Sequence, residues 1–192
     1  MALSPLLQAL CDVVRPEFGT VPAVIRLEEA DPGSACPPVV IKKRGPALVL
    51  KLDVPLARIP LLRSDAEGLT SACDYLVFYQ PDDERTPTVY VFLCELKTSH
   101  SGGARQQIEN GKMIAEFLVS MAVHHRLNQA PPRLQYRGII FRGRGVTEPR
   151  GGQMRAVCPY RQHPLWRDLG MATLPAVPER DISYFCAGIL PA

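Results

Sequence analysis

Apolar residues fall along this chain in two kinds of run. Leu3, Leu6, Leu7, Leu10, Val13 and Val14 recur at helical spacing and Pro16 closes the run, which predicts an amphipathic first helix. A second helical stripe, Ile108, Met113, Ile114, Phe117, Leu118 and Met121, predicts a helix from just after Gly102-Gly103 to about His125 with a broad buried face. Between them lie runs of strand character. Tyr75 to Tyr79 is apolar and rich in β-branched and aromatic residues, and Gln80-Pro81-Asp82-Asp83 ends it with turn chemistry. Thr88 to Leu96 is apolar on both alternating faces, as expected of a central strand, and Leu134 to Phe141 is a further strand ending at Arg142-Gly143. Val39-Val40-Ile41 and Ala47 to Leu50 flank Lys42-Lys43-Arg44-Gly45-Pro46 and read as a β-hairpin. Residues 19–38 read as a loop, 55–71 as a connection into the Asp74 strand, and the chain beyond Arg142 as loops and short elements. The order helix, strands, helix, strand predicts an α/β fold with a central mixed sheet flanked by helices.

Composition narrows this picture. At 192 residues, 46% of them apolar, one domain spanning 1–192 is expected, with its core at about 39–142. Nineteen prolines and fourteen glycines imply many loops between short elements. No long apolar window suggests a membrane span, and the N-terminal stretch lacks the basic region and cleavage site of a secretion signal. Cys11, Cys36, Cys73, Cys94, Cys158 and Cys186 show no C-x-x-C spacing, and four of them fall in or beside apolar runs, so reduced thiols in a cytoplasmic protein are expected. The net charge of +3 hides an asymmetry: residues 133–192 carry nine arginines and four acids, and there is no lysine among them. Arginine forks in a Gly- and Pro-rich setting suit phosphate contact, although lysine is scarce throughout the chain and the bias is equally that of a solvated surface.

One pattern inside the core carries chemistry. Glu95 and Lys97 interrupt the end of the most apolar strand, and alternation sends both side chains to one face. Burying such charges costs several kcal/mol unless they are compensated. A metal ion beside the carboxylate would compensate, and Asp74, at the head of the preceding strand, can supply a second carboxylate. The plain alternative is a structural Glu95–Lys97 ion pair.

Asp74, twenty intervening residues, then Glu95-Leu96-Lys97, followed by a helix carrying Gln106-Gln107, together resemble the PD-(D/E)XK nuclease superfamily with its restriction-endonuclease-like fold. The resemblance covers roughly residues 39–142. Cys73 stands where the family name expects proline, and position 111 is Gly where one variant of the family carries tyrosine. The resemblance implies an αβββαβ core and a Mg²⁺ (or Mn²⁺) ion bound by Asp74, Glu95 and the Leu96 carbonyl. It gives Lys97 the task of orienting the attacking water, and places Gln107, with Gln106 as rival, towards the metal and the nucleic-acid backbone. DNA would be the substrate, with RNA open, and a partner protein or a DNA structure would supply target choice. A homodimer would suit double-strand cleavage. Small stand-alone members of the superfamily often serve bacterial defence against foreign DNA or DNA maintenance. The same fold without turnover, as a nucleic-acid- or protein-binding module, is the alternative function.

Other residues add less. A further metal-binding acid could come from Asp12, Glu17, Asp53, Asp65 or Glu67, among which the sequence does not choose. His124-His125 at a helix end and His100 in a loop need no ligand to explain them, and four scattered histidines give no zinc pattern. Alternation is expected to turn Cys73 and Cys94 away from the charged face, which argues against a cysteine nucleophile. Tyr160 and Trp166 are expected to pack locally rather than stack on bases.

Overall fold

The computed structural model describes residues 3–29, 36–52, 68–69, 71–82, 88–98, 102–127, 130–143, 157–177 and 179–187. Its elements are α1 (Pro5–Val13), β1 (Gly19–Thr20), β2 (Ile25–Leu27), β3 (Val39–Lys42), β4 (Ala47–Lys51), β5 (Tyr75–Tyr79), β6 (Thr88–Lys97), α2 (Ala104–Arg126), β7 (Arg133–Arg142), β8 (Arg161–Gln162), β9 (Leu169–Pro175), β10 (Glu179–Asp181) and α3 (Ser183–Cys186). Seven strands form a mixed sheet in the order β1-β4-β5-β6-β7-β9-β8. From β1 to β6 neighbours are antiparallel; β7 and β9 add parallel to β6, and β8 closes the far edge antiparallel. The fold is therefore α/β, with a mixed sheet flanked by helices.

Alternation along the strands sorts the core into two layers. Leu48, Leu50, Leu76, Phe78, Val91, Leu93 and Ile140 face α1 and α2, while Val49, Tyr75, Val77, Phe92, Cys94, Ile139 and Phe141 face the small sheet β10-β3-β2 and Phe185 of α3. Ser4 caps α1, accepting from Leu7 N at 3.4 Å, and Pro5 occupies the first turn, where its missing N–H costs nothing. The buried Leu6, Leu7 and Leu10 match the predicted stripe. The β6–β7 pairing runs from Thr88↔Arg133 to Lys97↔Arg142, with α2 as the crossover that parallel strands require. A Cβ on Gly138 would lie 2.7 Å from Ile108 Cγ2, so glycine there lets α2 settle onto β7.

Four expectations change. Val39–Ile41 and Ala47–Leu50 are not a hairpin: β3 pairs with β2 and β10 in the small sheet, whereas β4 enters the large one. The burial patterns say why. β3 alternates, as a strand with one covered face does, while Ala47 to Leu50 are buried on both faces. Gly45, at φ 107°, turns the chain between layers. Residues 19–38 include the short strands β1 and β2. Beyond Arg142 the chain contributes β9, a seven-residue strand with Leu169, Ala172 and Leu174 buried. The buried stripe of α2 is made of Ala104, Ile108, Gly111, Ala115, Val119 and Ala122, together with Asn110 and Lys112, while Met113 and Phe117 are exposed. Small residues win that face because the helix lies close to the sheet. Among the described residues no helix is long and apolar enough to cross a membrane.

Candidate functional site

The β5–β6 register, Tyr79↔Tyr90 through Tyr75↔Cys94, brings Asp74 beside Glu95 on the helix-facing side of the sheet. Each acid is then clamped by the backbone of the other's segment. The Asp74 N–H donates to Glu95 Oε2 at 3.2 Å, and the Leu96 N–H donates to Asp74 Oδ2 at 2.7 Å. Glu95 is fully buried and Asp74 partly so. Glu95 Oε1 is sealed from solvent and, among the described residues, is met by the Lys97 ammonium alone. Lys97 keeps 23% of its side chain in solvent, so the cluster has one open side.

The electrostatics follow from burial. Desolvation pushes the Glu95 carboxyl up from 4.5 to about 7, and the neighbouring Asp74 charge pushes the same way; Lys97 and the Asp74 N–H pull it partly back. A divalent cation is the group that would reverse both upward causes at once. Carboxylate oxygens are hard donors, Mg²⁺ keeps several waters and uses one or two carboxylates, and a buried oxygen facing only an ammonium has capacity to spare. The donor set of Asp74 and Glu95 therefore fits Mg²⁺ or Mn²⁺. An extended residue sends N–H and C=O to the same edge, and the Leu96 N–H meets Asp74, so the Leu96 carbonyl lies on the edge that faces Asp74. Among the described residues no group of three or more His, Cys, Asp or Glu gathers to hold a metal. Asp12 is engaged by Gln8 at 3.0 Å and Glu17 pairs with Arg15, both on the surface, while Asp53, Asp65 and Glu67 lie outside the described residues.

Gln107 sits in the first turn of α2 and touches the lead-in to Asp74. Its carbonyl accepts from Cys73 N at 2.9 Å, and its Nε2 donates to the Ala72 carbonyl at 3.4 Å. Gln106 is exposed and lies against Gly68, so Gln107 is the inner of the two. Asn110, which sequence reasoning missed, is buried and donates to the Gly68 and Ser71 carbonyls at 2.7 and 2.5 Å. Its only sequence signal is a polar residue one turn after the glutamines. Gly111 has a steric reason: a Cβ there would lie 2.4 Å from Cys73 Sγ. Cys94 turns to the small-sheet side, but Cys73 does not, because it precedes β5 and packs beneath α2. Burial raises both thiols, so neither supplies a thiolate.

The cluster lies at the C-terminal end of β6, where the antiparallel half of the sheet meets the parallel half. Comparison with protein-family models, curated proteins and solved structures finds no significant match. The site therefore rests on its own geometry.

The remaining candidates are structural. Trp166 and Tyr136 sandwich the buried Lys112 ammonium at 5.0 and 4.5 Å, which also pairs with Asp168 at 3.1 Å and with Glu116. His163 Nδ1 accepts from Leu165 N and Trp166 N, both at 3.2 Å, and its Nε2 lies 2.7 Å from Glu109 Oε1 and 3.2 Å from Arg105 Nε. His124 and His125 are exposed at the end of α2, and His100 lies outside the described residues. Within the arginine-rich segment, Arg137 is buried over the Tyr160 ring at 5.2 Å, so it is no surface phosphate contact; Arg133, Arg161 and Arg167 are exposed.

Proposed function

We propose that the protein is a Mg²⁺- or Mn²⁺-dependent nuclease of the restriction-endonuclease-like class, hydrolysing phosphodiester bonds of DNA. The observation that carries this reading is the reciprocal clamping of Asp74 and Glu95, with Lys97 on the open side. With the two-residue β1 and the small-sheet strands β2 and β3 set aside, the succession α1, β4, β5, β6, α2, β7 supports it, being the αβββαβ order that the resemblance implies. So does Gln107 on the helix after the E-x-K strand.

A cation held by Asp74, Glu95 and the Leu96 carbonyl would supply positive charge to the phosphate and to an attacking water. The chain's own residues do the rest. The backbone clamps fix both carboxylates before substrate arrives, so little reorganisation is needed. Lys97, anchored by Glu95 and partly in solvent, presents its remaining N–H donors to the water and to the non-bridging phosphate oxygens. The water oxygen attacks phosphorus and releases a proton to solvent, the opposite P–O bond breaks, and the leaving oxygen takes up a proton from solvent. Target choice would come from a partner protein or from a DNA structure.

Purified protein is expected to cut plasmid or single-stranded DNA with millimolar Mg²⁺ or Mn²⁺ and to stop in EDTA. Asp74→Asn, Glu95→Gln and Lys97→Ala should each lower the rate ~100-fold or more, while circular dichroism shows a retained fold. Wild-type protein that binds these nucleic acids but cleaves none, RNA included, would refute the hydrolase and leave the binding module.

A further inference from the structure

Beyond Glu95 the helix-facing side of the sheet does not end in flat surface. The register sets Glu95 beside Ile140 and Ile140 beside Thr173, in one row across β6, β7 and β9. One step further along the strands, Lys97 stands beside Arg142 and Arg142 beside Pro175. On the outer edge β8 sets Arg161 opposite Met171, on the same face. These rows border a concavity of about 510 Å³ lined by Ile140, Pro159, Arg161, Met171, Ala172 and Thr173. That volume lies in the range of small-molecule sites, roughly 300–1,000 Å³. Its floor is aliphatic, its outer wall is the exposed Arg161 with the exposed Thr173, and at its inner end Ile140 stands beside Glu95 in the β6–β7 register. Arg161 stands three strands across and two residues along from Glu95, about 16 Å at ~4.8 Å per strand and ~3.3 Å per residue.

The geometry points to this groove as the seat of an unpaired nucleotide next to the phosphate at the Asp74–Glu95 cluster, which makes single-stranded or frayed DNA the preferred substrate. The inference rests on the hydrolase reading only for what lies at the inner end of the groove. Two features select the occupant. The exposed Arg161 complements a phosphodiester backbone leaving the acid pair, since arginine binds phosphate through a planar fork. The floor of Ile140, Pro159 and Met171 offers apolar contact, which suits an exposed base or sugar. In a duplex, base faces are stacked on one another and cannot reach such a floor; unstacked bases can, and where single-strand binders set aromatic platforms beside positive charge, this groove sets an aliphatic floor beside Arg161.

The test is fluorescence anisotropy of a fluorescein-labelled single-stranded oligonucleotide and of the same sequence as a blunt duplex, with the full chain in EDTA so that nothing is cut. The single strand should bind at least tenfold more tightly than the duplex. Arg161→Ala should weaken single-strand binding about tenfold. Thr173→Glu, which adds a carboxylate at a second exposed position on the wall, should weaken it further, with melting temperatures unchanged. Equal affinity for the two probes, no binding of either, or an Arg161→Ala affinity within twofold of wild type would overturn the groove assignment. Mg²⁺-dependent cleavage is scored separately. Cleavage without a single-strand preference sinks this inference alone, and an Arg161-dependent preference without cleavage sinks the hydrolase alone.

Discussion

Glu95 offers the sharpest test of the buried acid pair, because its burial makes a signed demand on stability. In the unfolded chain its carboxyl titrates near 4.5, and in the fold near 7. Between those values the folded protein keeps a proton that the unfolded chain has released, so raising the pH through this window lowers stability. The contribution is fully present below 4.5 and lost above 7. At 1.36 kcal/mol per pH unit the gap amounts to about 3 kcal/mol. For a chain of this length that corresponds to a fall of ~6–12 °C in melting temperature. Glu95→Gln is the perturbation: the amide has the shape of the protonated acid and its oxygen can still accept the Asp74 N–H, but it does not titrate. Urea unfolding of both proteins in EDTA, at steps between pH 4.5 and 8.5, should give curves that coincide at the acid end and separate by about 3 kcal/mol at the alkaline end, with the variant the more stable. Parallel curves, or a wild type that gains on the variant as pH rises, would refute the reasoning.

Two further outcomes follow. Since a cation competes with the proton on Glu95, 10 mM Mg²⁺ or Mn²⁺ with a dissociation constant on the order of 1 mM should stabilise the wild type by ~1.4 kcal/mol at pH 8 and less at pH 5.5, and Asp74→Asn should erase the effect; differential scanning fluorimetry with no shift at pH 8 would count against the metal. Gly111→Ala pits a helix-propensity gain of ~1 kcal/mol against a methyl placed 2.4 Å from Cys73 Sγ, and overpacking of ~1–3 kcal/mol should win. Adding Cys73→Ala should restore stability in thermal melts, and failure of that rescue would show that the thiol is not the obstacle.

Much of the centre was legible in the sequence because it depends on local rules. Alternation alone puts Glu95 and Lys97 on one face, and the turn chemistry at residues 80–83 ends β5 so that pairing sets Asp74 beside Glu95. β9 was not legible. Leu-Gly-Met-Ala-Thr-Leu-Pro has weak strand propensity, and its state is imposed by pairing with β7, a long-range contact that no local pattern announces. The helix face was misread for a related reason. Met113 and Phe117 look like core by hydrophobicity, but the close approach at Gly111 and Gly138 admits only small side chains. Lys112 enters that face because Tyr136, Trp166 and Asp168, distant in sequence, supply a cage for its charge.

The change of strand direction at β6 also orders assembly. β4, β5 and β6 are sequential antiparallel neighbours, whose ladder can zip with modest loop-closure entropy, so the two carboxylates meet early. β7 pairs with β6 across the α2 crossover and β9 joins through a further long connection, so both are expected to add after that ladder. A chain caught between these steps presents the bare edge of β7, including Ile139, Ile140 and Phe141, as a template for another molecule's strand. Defects in β9 are thus paid in refolding yield and aggregation, while the early-formed acid pair is left intact.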